Sequence, residues 1–197
     1  MFSDNKVVVY LGYPSEDEPI PGWMHPMLQL EQQNPGSSDF HFYLSGGAVT
    51  PSLLPTLLSR ANEAGPAQLL AMKLAQGYTT RLVDALLSPN LENISKLAAG
   101  SPRSTEYRIL LDLWVLSRSD VYVVDCELLG RGSCGMEAVY AHHCVRTVGV
   151  SDSSSIDPWY QYHLDLLVKS PMAMETLKDL RHTLLAGRIP APGVVGV

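Results

Sequence analysis

The sequence predicts a doubly wound α/β domain: a sheet of four or five parallel strands with helices on both faces. Three observations carry that expectation. Residues 7–11 (VVVYL) and 121–124 (VYVV) are β-branched and aromatic, the composition of strands covered on both faces. Strand-like and helix-like segments alternate along the chain. Residues 111–150 read as helix, strand, glycine-rich turn, helix and strand, the kind of crossover that parallel strands require. Open sheets of this flavodoxin- or Rossmann-like kind take ligands at the carboxyl ends of their strands. The turn after residue 124 therefore lies where a ligand is expected, and Glu137 is the acid placed to face it.

The elements follow in order. The first strand, 7–11, ends at Gly12-Tyr13-Pro14, where glycine and proline open a loop that runs acidic and proline-rich to residue 21. Trp23, Met24, Met27, Leu28 and Leu30 share a face and predict a short helix over 23–33. A turn cluster leads to a second strand, 40–44, ended by Gly46-Gly47. Thr50-Pro51 fits a helix cap followed by proline at the first helical position, with a short helix running toward residue 63 and weakened by Pro55. The Ala- and Leu-rich stretch 67–87 predicts a long helix, and 91–99 a weak helical turn. A helix over 103–117 carries Ile109, Leu110, Leu113 and Leu116 at helical spacing. Asp112 lies near its C-terminal part, where an acid opposes the helix dipole. A solvated surface residue is the plain alternative there. The fourth strand, 145–150, is followed by the helix-start pair Asp157-Pro158 and an apolar, aromatic stretch to residue 168. Ser170-Pro171 opens a last helix to about residue 185.

At 197 residues the chain makes one domain with a full core, assigned to 1–186, with 187–197 as a glycine- and proline-containing tail. A net charge of −6 without a basic run argues against a nucleic-acid groove and for a small molecule or a protein as partner. No apolar run approaches the roughly 18 residues of a membrane span, and the polar residues 1–6 lead into the first strand without a signal-peptide pattern. Cys126, Cys134 and Cys144 have no framework spacing, which suits reduced thiols and a cytoplasmic setting. His142-His143-Cys144 places neighbours on different helix faces, so no metal site is expected.

The central turn, Gly130-Arg131-Gly132-Ser133-Cys134-Gly135, lets backbone approach a ligand closely. It lacks the Gly-Lys-Ser/Thr element of a P-loop. Its letters match GxGxxG, but they follow a late strand and no acid ends the next one, so a nicotinamide site is not expected. Glu137, in the first turn of the following helix, is also a residue that the helix dipole favours on its own account.

The segments Asp112-Leu-Trp-Val-Leu-Ser-Arg-Ser-Asp120, Val-Tyr-Val-Val-Asp125 and Gly135-Met-Glu137-Ala-Val-Tyr-Ala141 resemble the nucleoside 2-deoxyribosyltransferase superfamily, which includes nucleoside monophosphate N-glycosidases. Val9-Tyr10-Leu11-Gly12 resembles the family's first strand, whose end lines the sugar pocket, and Asp157-Pro158-Trp159-Tyr160 the segment after its last strand. The likeness covers the two ends of the chain and all of 103–185; residues 40–101 do not align.

The resemblance implies that Glu137 attacks the anomeric carbon of a (deoxy)nucleoside or its 5′-monophosphate, as a retaining carboxylate nucleophile. It implies that Asp112 manages the proton of the leaving base, for which a carboxyl of raised pKa is suited. Tyr10, Gly12, Ser133 and Gly135 would line the sugar or phosphate. No metal or organic cofactor is implied, and a homodimer or larger homo-oligomer is. Two positions depart from the family. Arg131 stands where transferases carry an acid, and Ser133 where a glycine aligns. Arg131 and Ser133 would suit a phosphate, which favours a hydrolase over a transferase; Arg131 as a solvated loop residue is the alternative. Loss of the acid also fits a protein of this fold that binds or sequesters a nucleotide without turning it over. The Pro-Gly-Gly-x-Gly-Thr run of cytokinin-type phosphoribohydrolases is missing.

Overall fold

Val7–Gly12 (β1), Phe40–Leu44 (β2), Val121–Asp125 (β3), Arg146–Val150 (β4) and Leu166–Val168 (β5) form one sheet in the computed structural model, every neighbouring pair parallel, in the order β2-β1-β3-β4-β5. The structure describes residues 6–14, 19–33, 38–47, 49–59, 104–131, 133–153 and 155–185. The helices predicted over 67–87 and 91–99 and the tail 187–197 lie outside the described residues.

The helices divide between the two faces. Leu53–Ser59 (α2), Ser104–Leu116 (α3) and Cys134–His142 (α4) cover one face, where Leu53, Leu57, Val115, Leu116, Ala138 and Ala141 bury against Val8, Tyr10, Tyr122 and Val124. His25–Gln33 (α1) and Ala173–Leu185 (α6) cover the other, where Met27, Leu177 and Leu184 bury against Val7, Val9, Leu11, Val121 and Val123. The strict alternation along β1 explains why its sequence is apolar throughout: both sides of the strand are core. Order and layering together make the fold doubly wound, with its switch point between β1 and β3.

Local signals account for the element ends. The Asp157 carboxylate accepts from the Trp159 N–H at 2.8 Å, with Pro158 opening the helix Pro158–Tyr162 (α5), as the Asp-Pro pair predicts. Thr50 Oγ1 accepts from the Leu53 N–H at 3.2 Å, so the predicted threonine cap is present although α2 starts at Leu53. The apolar stretch to residue 168 is divided into α5 and β5 by a turn at His163–Asp165, a break its mixed spacing leaves open. The predicted helix over 23–33 starts with a 3-10 turn, Gly22–Met24, and is α-helical from His25. No described helix is long and apolar enough to cross a membrane. All three cysteines are free thiols.

Candidate active site

Parallel register brings three tyrosines into one row. Tyr10 of β1 pairs with Tyr43 of β2 on one side and Tyr122 of β3 on the other. Facing partners in parallel strands point to the same face, and the ring centroids lie 5.3 Å (Tyr10 to Tyr43) and 5.8 Å (Tyr10 to Tyr122) apart. Each phenol has a separate task. Tyr43 donates to Asp112 Oδ1 at 2.7 Å, Tyr10 to Glu137 Oε1 at 3.2 Å, and Tyr122 to the Cys134 carbonyl at 3.0 Å. The row thus supports both acids singled out from the sequence and anchors the first turn of α4, which carries Glu137.

The turn after β2 grips the same two acids from another side. Ser45 Oγ donates to Glu137 Oε1 at 2.7 Å, and the Gly46 N–H donates to Asp112 Oδ1 at 2.9 Å. Gly46 sits at φ 74°, a left-handed conformation that glycine adopts without a steric penalty. Neither acid is a solvated surface residue: Asp112 is 9% exposed and Glu137 4%. Glu137 Oε1 is held by two hydroxyls, whereas Oε2 is buried with no hydrogen-bond partner among the described residues.

That environment sets the charge. Burial pushes the Glu137 carboxyl up to about 7. The Ser45 hydroxyl opposes this, the negative charge of Asp112 reinforces it, and the Ser133 and Tyr10 hydroxyls pull it back. Ser133 does so without a hydrogen bond of ordinary geometry to Oε2. A carboxyl poised near neutrality serves both as a base or nucleophile and as a proton carrier. Burial raises the Tyr10 and Tyr122 phenols well above their ordinary value, with Glu137 adding to both, so they remain protonated donors.

The other expected site residues are placed as follows. Gly12 ends β1; a Cβ there would lie 2.4 Å from the Tyr122 hydroxyl, so the glycine makes room for that ring. Gly135 lies in the first turn of α4, where a Cβ would come within 2.6 Å of the Leu129 carbonyl oxygen, which fixes the close approach of helix and turn. Ser133 precedes α4 and does not cap it with its side chain. Arg131 is exposed. The Glu137 carboxyl, expected as the nucleophile, has a raised pKa.

Tyr43, Ser45, Gly46 and Tyr122 were not among the residues the sequence singles out. Gly46-Gly47 reads as a strand terminus, and only the placement of β2 beside β1 turns that terminus into part of the site. One further contact closes the carboxyl end of the sheet. The Trp23 indole N–H donates to Asp125 Oδ2 at 3.0 Å, tying the segment after β1 to the end of β3. Among the described residues no group of His, Cys, Asp or Glu is arranged to hold a metal ion. No family model matches the chain, and neither a curated protein nor a solved structure matches it.

Proposed function

We propose that this protein cleaves the N-glycosidic bond of a (deoxy)nucleoside or its 5′-monophosphate through Glu137. The observation that carries the reading is the asymmetry of that carboxylate: Oε1 is fixed by Ser45 and Tyr10, and Oε2 has no hydrogen-bond partner among the described residues. A carboxylate fixed at one oxygen, with the other uncommitted, suits attack on a sugar carbon. In the productive form Glu137 is ionised and Asp112 carries the proton. The Oε2–C1′ bond forms as the C1′–N bond breaks, and the base leaves with the proton from Asp112. Water then releases the sugar in a hydrolase, or a second base takes it in a transferase. Burial of Glu137 keeps bulk water from the carboxylate.

The likeness of the segments around Asp112 and Glu137 to the nucleoside 2-deoxyribosyltransferase superfamily supports the same chemistry, and Arg131 in the turn favours a phosphorylated substrate and hydrolysis. A homo-oligomer fits the exposed apolar side chains along α4 and α5: Met136 is 79% exposed, Trp159 67% and Tyr162 72%. Reduced thiols fit a cytoplasmic setting.

The test is to incubate the protein with each deoxynucleoside and deoxynucleoside 5′-monophosphate and to follow free base. Release that requires the 5′-phosphate supports the hydrolase; exchange of one base for another without net release supports the transferase. Binding without turnover, indifferent to Glu137→Gln, would instead identify a nucleotide-sequestering protein.

A further inference from the structure

A second buried acid lies outside the pair. Glu31, on α1, is 7% exposed and uses both carboxylate oxygens. Oε1 lies 3.3 Å from His41 Nδ1 and accepts from Thr50 Oγ1 at 3.2 Å and Ser52 Oγ at 3.3 Å. Oε2 accepts from the Phe42 N–H at 3.0 Å. β2 is at the edge of the sheet among the described residues, so its outward N–H groups face no described strand, and Glu31 satisfies this one.

The positions of these partners matter more than their number. His41 and Phe42 precede, and Thr50 and Ser52 follow, the turn whose Ser45 and Gly46 hold Glu137 and Asp112. One carboxylate therefore draws together the two ends of the segment that grips both acids. The turn also has bonds of its own, Ser45 N–H to the Leu11 carbonyl at 2.9 Å and Gly47 N–H to the Leu44 carbonyl at 2.8 Å. The Tyr43 hydroxyl also reaches the Gly47 carbonyl at 3.0 Å, so these bonds hold residues 45–47, and Glu31 holds Thr50 and Ser52 beyond them.

We propose that Glu31 is a positioning residue: by clamping the segment on both sides of the turn, it holds the Ser45 hydroxyl and the Gly46 N–H against the two acids. Glu31 touches neither acid and acts only through that turn. Its effect on rate rests on the glycosidic reading above, whereas its effect on the protonation of Glu137 does not.

The test needs no substrate. The Glu137 carboxyl is titrated by NMR in protein carrying ¹³C-labelled glutamate, in the wild type, Ser45→Ala, Glu31→Gln and the double variant. Ser45→Ala removes the strongest donor to Glu137 and raises its midpoint. Glu31→Gln is expected to raise it in the same direction, by about threefold or more in proton affinity. The double variant is expected to go no further than Ser45→Ala alone, because both changes act through one hydroxyl. Should Glu31→Gln not fold, Thr50→Val with Ser52→Ala loosens the far side of the clamp and is read the same way. A Glu137 midpoint that stays at the wild-type value while the melting temperature falls, or a fully additive double variant, overturns the proposal. If base release is never observed but the titration behaves as stated, the clamp stands and the catalytic reading falls.

Discussion

Glu31 and Glu137 are the same residue type, both with little exposed surface, and their carboxyls move in opposite directions. Glu31 falls below the ordinary carboxylate value; Glu137 rises to about 7. Burial is the largest influence on each and raises both. At Glu31 it is outweighed by His41, the Phe42 N–H and Thr50, which serve both oxygens. At Glu137 the donors are hydroxyls, with hydrogen bonds to a single oxygen, and the nearest acid, Asp112, repels a second charge. Glu137 also lies deeper among protein atoms, so depth and the supply of donors together set the two carboxyls apart.

Several measurements break or sharpen that contrast. The largest expected effect is on turnover. Glu137→Gln should lower kcat by about a thousandfold or more, since the amide cannot form the glycosyl-enzyme bond. In the wild type, kcat/KM should fall as pH rises through a midpoint near 7, where the Glu137–Asp112 pair loses the proton that the leaving base requires. A flat profile across that range would sink the assignment of Glu137 and Asp112 as nucleophile and proton donor.

Stability should separate the two acids by sign. The folded pKa of Glu137 is raised, so its contribution is fully present below the unfolded value near 4.5 and is lost as pH rises through about 7. Glu137→Gln should then match the wild type near pH 4 and exceed it at pH 8 by up to about 3 kcal/mol in urea unfolding. Glu31 has a lowered folded pKa, so its contribution is present above the unfolded value and fades as pH falls below it. Glu31→Ala should cost about 3 kcal/mol at pH 7, because the Phe42 N–H and His41 are left buried without their acceptor, and less in acid. If both substitutions destabilise equally at every pH, the contrast is wrong.

Two smaller effects probe the tyrosine row. Gly12→Ala places a methyl 2.4 Å from the Tyr122 hydroxyl and should cost about 1–3 kcal/mol as that ring is pushed aside. Tyr43→Phe removes one of the donors to Asp112 and should cost about 1 kcal/mol in unfolding free energy.

The fold was legible because its strongest signals are local. The β-branched runs at 7–11 and 121–124 are core on both sides, and the Asp-Pro and Ser-Pro pairs mark helix starts within a residue or two. β5 was not legible. Three residues long, at the sheet edge and only partly buried, it shows no periodicity to set it apart from the helix before it. The site divided in the same way. Glu137 stood out by its place after the turn that follows β3, and Asp112 through the family resemblance. Tyr43, Ser45 and Gly46 reach them across sequence gaps of 69, 92 and 66 residues. Nothing local in β2 announces that it lies beside β1.

The side-by-side phenols carry one more consequence. In a strand, a slip of one position turns every side chain over. If β1 docked one step out of phase, Val9 or Leu11 would replace Tyr10 beneath Glu137, and the phenol would be driven into the aliphatic layer on the far side. Mispaired chains would then lose the packed core and the hold on Glu137 together.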